Sequence, residues 1–278
     1  SSAASDVYKR QLLKRMGELR DAQGTVGAWA RIYGSEQEYG AQSVTAKNTT
    51  VQAGADYDVG SGWKVGGAFS YTDGSSSFDM GESDSNMYGV AVYGTWLADN
   101  GQFVDLIAKY SRLSNEFTSG TMKGDFDNNA FSVAAEYGWH FALNDVAFVE
   151  PSAGVTYGRI MGDDFMAHNG VKVEQDDYDS LIGRLGVRSG FYFPNQKGTV
   201  YARAAVLHDF MGDMESTASK DGNVAHLKDE LGDTWVEYGI GANFNLSKNA
   251  YTFVDLEKTA GGDVKEAWKW TIGARLAF

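Results

Sequence analysis

The run Trp268-Lys269-Trp270-Thr271-Ile272-Gly273-Ala274-Arg275-Leu276-Ala277-Phe278 constrains this chain more than any other stretch. Trp268, Trp270, Ile272, Ala274, Leu276 and Phe278 fall on one face of a strand, with Lys269, Thr271, Gly273 and Arg275 on the other. A soluble sandwich rarely ends in such a two-faced strand with a terminal aromatic. A barrel in an outer membrane does so routinely, one face meeting lipid and the other a polar lumen. The run therefore predicts an all-β fold: an antiparallel transmembrane barrel.

The same alternation recurs upstream. Val26 to Tyr33, Thr49 to Tyr57, Trp63 to Tyr71, Tyr88 to Trp96, Val104 to Tyr110 and Phe131 to Phe141 each show it. So do Ala147 to Tyr157, Leu181 to Phe193, Val200 to Val206, Val236 to Phe244 and Ala250 to Leu256. With the terminal run this gives about twelve strands, an even number as single-chain bacterial barrels prefer. Connections alternate in length. Short turns are expected near 60–62, 98–101, 143–145, 194–198 and 247–249, and longer polar loops over 35–46, 73–85, 114–125, 159–177 and 211–232. Short periplasmic turns alternating with long extracellular loops is the barrel pattern, and closure removes every sheet edge that lipid would leave unsatisfied.

On the faces opposite the apolar ones lie Arg31, Asp56, Lys64, Asp105, Lys109, Glu136, Glu150, Arg184, Arg188, Arg203, Glu237, Asp255, Glu257, Lys269 and Arg275. An Arg or Lys facing lipid at mid-depth costs roughly 2–4 kcal/mol, so these residues are expected to turn inward as a mixed-sign charge network. Tyr57, Trp63, Tyr71, Tyr88, Trp96, Tyr110, Trp139, Tyr157, Trp268 and Phe278 are expected to supply the aromatic girdles. Ahead of the first strand, Leu12, Leu13, Met16 and Leu19 recur at helical spacing, with Lys14, Arg15, Glu18 and Arg20 on the remaining surface. This predicts a short amphipathic helix, narrow enough at about 10–12 Å to thread a twelve-stranded bore. Its cations would then approach Asp105, Glu136 and Glu150. The expected division is a linker and pore helix over 1–24 and a barrel over 25–278.

Composition excludes several function classes. A net charge of -13 argues against a nucleic-acid partner, which needs clustered Lys and Arg. No apolar run approaches the ~20 residues of a spanning helix. Cysteine is absent, consistent with export without a disulfide framework. No signal peptide opens the chain, which leads us to expect the C-terminal part of a longer precursor. There is no Gly-x-Ser-x-Gly elbow, His-Glu-x-x-His zinc site or Gly-x-Gly-x-x-Gly phosphate loop. His140, His168, His208 and His226 show no nucleophile partner in a recognisable motif, and the acidic runs 162–164 and 174–177 lack EF-hand ligand spacing. No catalytic residue, cofactor or metal is therefore expected. A diffusion porin, or a barrel phospholipase, are the competing readings.

Leu13-Lys14-Arg15-Met16-Gly17-Glu18-Leu19-Arg20-Asp21, followed by Gly27-Ala28-Trp29-Ala30-Arg31, resembles the opening of the β-domain of bacterial autotransporters. Asp105-Leu106-Ile107-Ala108-Lys109-Tyr110, Leu181-Ile182-Gly183-Arg184-Leu185-Gly186-Val187, Ala202-Arg203-Ala204 and Phe278 fit it too, so the resemblance covers residues 12–278. It implies a barrel in the Gram-negative outer membrane, in contact with lipid and lipopolysaccharide, with a helix or linker in its pore. It also implies an upstream passenger domain carried to the cell surface. Periplasmic chaperones and the barrel-assembly machinery would be partners, the latter reading Trp268, Trp270 and Phe278. Some relatives cut the passenger free at an Asn-Asn pair before the helix. Here Arg10 and Gln11 stand there, and no Asn precedes Asn48, so that cyclisation is not expected, although Asp105, Glu136 and Glu150 match the assisting acids. The opening residues 1–11 do not resemble the family's linker and look like translated adaptor sequence.

Overall fold

The computed structural model describes residues 26–39, 44–78, 81–120, 122–162, 165–166, 172–173, 177–211, 234–261 and 264–278. Twelve long strands fill most of this: β1 Val26–Tyr39, β2 Val44–Gly60, β3 Trp63–Phe78, β4 Gly81–Leu97, β5 Gln102–Ser119, β6 Met122–Trp139, β7 Ala147–Met161, β8 Tyr178–Tyr192, β9 Gly198–Asp209, β10 Thr234–Asn245, β11 Ala250–Gly261 and β12 Val264–Ala277. Each pairs antiparallel with the next, and β12 returns to β1 from Gly27↔Ala277 to Glu38↔Glu266, so the sheet closes. Phe141–Ala142 adds a short pairing with β7. The segment predicted as the pore helix, Leu12 to Leu19, lies outside the described residues.

Alternation explains why these residues form strands and why the sheet closes. Val51, Val92, Leu185 and Ile240 are exposed on the outside, while Arg275 and Lys269 are buried within. All the ionisable residues predicted to turn inward sit on the inner parity. From Trp268 to Phe278 the chain climbs ten residues. At about 3.3 Å each and a tilt near 40° this spans roughly 25 Å, the height of an outer-membrane apolar band.

At the end holding the chain's Phe278 the turns are tight. Gly60, Ser61 and Gly62 all have positive φ (94, 56 and 86°), the left-handed geometry a two-strand reversal with right-handed twist requires. The Asn144 side chain accepts the Val146 and Ala147 amides at 2.8 Å each.

The opposite end corrects the expected loops. Much of 35–46, 73–85 and 114–125 is strand: β1 and β2 stay paired to Tyr39↔Val44, β3 and β4 to Phe78↔Gly81, and β5 and β6 to Ser119↔Met122. These hairpins continue past the bilayer, where both faces meet water, so their polar residues carry no alternation to announce a strand. At the end of β7, Arg159 and the Gly162 amide both donate to Asp177, holding its carboxyl below the usual carboxylate range.

Candidate functional site

The inner wall carries side chains that lie flat and bridge strands. Three ion pairs skip a strand over a glycine. Arg184 stands in register with Gly154, and Gly154 with Glu136; the guanidinium reaches Glu136 at 3.7 Å and donates to Ser152 Oγ at 2.9 Å. Arg203 likewise reaches Glu257 across Gly239 and also pairs with Asp255. Arg275 lies over Gly27, where an added Cβ would stand 2.0 Å from its Nη2, and donates to Asp56 Oδ2 at 2.8 Å. The spacing explains the glycines. Two strand spacings are about 9.5 Å, within reach of an arginine plus a carboxylate only if the strand between offers no side chain.

Other contacts join these straps around the bore. Tyr93 crosses Gly66 to donate to Asp56 Oδ2 at 2.8 Å, and Trp29 Nε1 donates to the Tyr93 hydroxyl at 2.7 Å. Thr95 donates to Asp105 at 2.6 Å, and Asp105 faces Glu136 in register. Glu150 accepts Arg188 Nε at 2.9 Å and stands 3.3 Å from His140 Nδ1, while His140 Nε2 meets the Tyr192 hydroxyl at 2.6 Å. The Arg188 guanidinium lies 4.9 Å over the Tyr201 ring, and Tyr201 donates to Asp255 at 2.8 Å. Lys269 reaches Glu257 at 3.2 Å and Glu237 at 3.4 Å.

Arg31, Asp105, Lys109, Glu136, Glu150, Arg184 and Arg203 lie on the inner parity of their strands, and most are tied to other inner groups. Arg31 donates to Gln52 at 2.7 Å and stacks on Tyr33 at 4.5 Å. Lys109 is buried, its stem across Gly89. Glu136, Glu150 and Arg203 sit in the pairs above. Trp268 and Trp270 face outward, and Phe278 projects, its amide bonded to the Val26 carbonyl at 2.7 Å. His140 has Glu150 and Tyr192 as neighbours, and His208 has the Thr234 hydroxyl at 2.6 Å. His168 and His226 lie outside the described residues. Among the described residues no group of His, Cys, Asp and Glu could hold a metal.

Sequence reasoning missed the inward aromatics. Trp29 faces Gly54, Tyr93 Gly66, Phe103 Gly138, Tyr201 Gly241 and Phe253 Gly273, each in register and each occupying the space a Cβ would take. Their parity was readable; which glycine each would meet was not. The lining is also less polar than expected: Ile107, Ala91 and Ala134 pack with Trp29 and Tyr93, and Ile182, Ala205 and Leu207 with Trp235. Gly138→Val puts side-chain atoms where Phe103 Cζ lies 2.2 Å from the ideal Cβ. We expect about 1–3 kcal/mol lost in urea unfolding from vesicles, and partial recovery on adding Phe103→Ala. Equal stability of the single variant and the parent would refute the packing described.

Residues 28–257 match the family described as Autotransporter beta-domain. The serine protease EspP of Escherichia coli is 31% identical over 266 residues, covering 90% of this chain and 20% of that protein. The pertactin autotransporter of Bordetella parapertussis is 30% identical over 283 residues, covering 96% of this chain and 30% of that one. The chain thus spans about a fifth to a third of the curated relatives it matches. The translocator domain of the autotransporter NalP from Neisseria meningitidis superposes with a TM-score of 0.81 at 15% identity, covering 100% of this chain and 98% of that one. The β-domain of the Bordetella autotransporter BrkA gives 0.76 at 23%, covering 91% and 100%.

Proposed function

The chain belongs to the autotransporter β-domain family, and on that footing we propose that its barrel carries an upstream passenger polypeptide from the periplasm to the cell surface. Family and fold put the barrel in the outer membrane. The observation that carries the export reading is a closed wall, apolar outside, whose inner charges are largely bonded to one another. Such a lining presents dipoles and paired ions to a passing chain and few groups that would grip a particular sequence. Protease activity, named for several relatives, is a property of those proteins, of which this chain covers a fifth.

The segment 1–24 is proposed to occupy the bore, with Leu12, Met16 and Leu19 on one side and Lys14 and Arg15 toward Asp105, Glu136 and Glu150. In such a helix Glu18 would share the polar face of the two cations. The tied state of Glu136 and Glu150 favours these acids as partners of wall cations first. Barrel-assembly machinery, reading Trp268, Trp270 and Phe278, periplasmic chaperones and lipopolysaccharide are proposed as partners.

The test is an epitope placed upstream of Ser1 behind an export signal in a Gram-negative cell. Protease should remove it from intact cells. An inserted barrel whose epitope stays protected would refute export. Deleting residues 1–24 should raise single-channel conductance; unchanged conductance would favour an open diffusion pore.

A further inference from the structure

Eleven of the twelve strand pairings join neighbours along the chain, so a connecting hairpin or loop sets or restricts their register. The seam between β1 and β12 has no such connection. Its hydrophobic pattern rejects a slip of one residue, which would turn Trp268, Trp270, Ile272, Ala274, Leu276 and Phe278 into the bore. A slip of two residues keeps every greasy side chain in lipid, and the alternation is blind to it.

We propose that the strap Arg275–Gly27–Asp56 is the latch that specifies the register in which the barrel closes. Arg275 stands opposite Trp29 on β1, and its guanidinium runs over Gly27 to Asp56 on β2, so one contact ties the last strand to the second across the first. Arg275 and Asp56 are almost completely buried. A two-residue slip in one direction carries the guanidinium from Gly27 onto the Trp29 indole. A slip in the other carries it past Asp56. Either leaves a carboxylate and a guanidinium buried without each other, the most costly outcome for a buried pair. The same carboxylate accepts Tyr93, whose oxygen accepts Trp29, so Asp56 is held by contacts within the first four strands that do not involve the seam. On the lipid side Trp270 lies over Gly34, where an added Cβ would stand 2.6 Å from the indole, a second contact that a slip destroys.

The chain lacks cysteine, so introduced pairs report the seam directly. Ala30→Cys with Ala274→Cys is in register; Ala30→Cys with Ile272→Cys is displaced by two residues, about 7–8 Å apart, beyond disulfide reach. With the full chain folded into phospholipid vesicles and then oxidised, only the first pair should close. In the Arg275→Gln background the ratio of in-register to displaced disulfide should fall roughly tenfold or more. Gly27→Ala keeps both charges and displaces only the guanidinium, and it should shift the ratio in the same direction. Arg203→Gln cuts the equivalent strap between hairpin-linked strands, and it should leave the ratio unchanged while lowering heat resistance. An unchanged ratio in folded Arg275→Gln and Gly27→Ala barrels overturns the latch, as does an equal shift in Arg203→Gln. If Arg275→Gln fails to fold while Arg203→Gln folds, the Gly27→Ala ratio decides. The readout is closure in vesicles without a passenger, so it stands or falls independently of export.

Discussion

Val92→Arg should cost about 2–4 kcal/mol of stability in a bilayer. Val92 is 64% exposed on β4, midway between Tyr88 and Trp96, two residues of the proposed girdles. A guanidinium at that point has neither water nor a partner within snorkelling reach, and the cost is highest there because it depends on depth. Ser77→Arg is the control. Ser77 is exposed on the projecting end of β3, opposite Glu82 in register, where a new cation meets water and a carboxylate. Its effect should stay within about 0.5 kcal/mol. Urea unfolding from phospholipid vesicles measures both. If the two substitutions cost the same, the outer face at Val92 is not in hydrocarbon.

The second large effect is expected inside. Lys269→Met removes the cation between Glu237 and Glu257, all three being at most 2% exposed in their side chains. Deleting one partner of a buried pair costs about 3–5 kcal/mol. Glu257 keeps Arg203, whereas Glu237 loses the lysine that faces it. Adding Glu237→Gln should therefore recover part of the loss. A Lys269→Met barrel as resistant to urea as the parent would mean that water in the bore solvates these groups freely.

Both expectations follow from an in/out partition already visible along the chain. Arg184, Arg203 and Lys269 could be turned inward from parity alone, since a period of two leaves each residue one face. The projecting hairpins were read as loops for the complementary reason: Ser75, Ser77, Glu82 and Asp84 continue the outer parity of β3 and β4 but meet water, so no apolar alternation marks the strand. Trp29 and Tyr93 carry no charge to mark them as inward, and the glycines they cover lie on other strands.

The chain's order of greasy and polar residues determined that it would be a barrel, how many strands it would have and which charges would face the bore. That information is local, written at a spacing of two residues, and survives without knowledge of any partner strand. Which arginine crosses which glycine to which carboxylate was decided only when strands met in register. Arg275 and Asp56 are 219 positions apart, and no local pattern connects them. Their contact exists because the sheet closes on itself and brings the last strand within a side chain's length of the second.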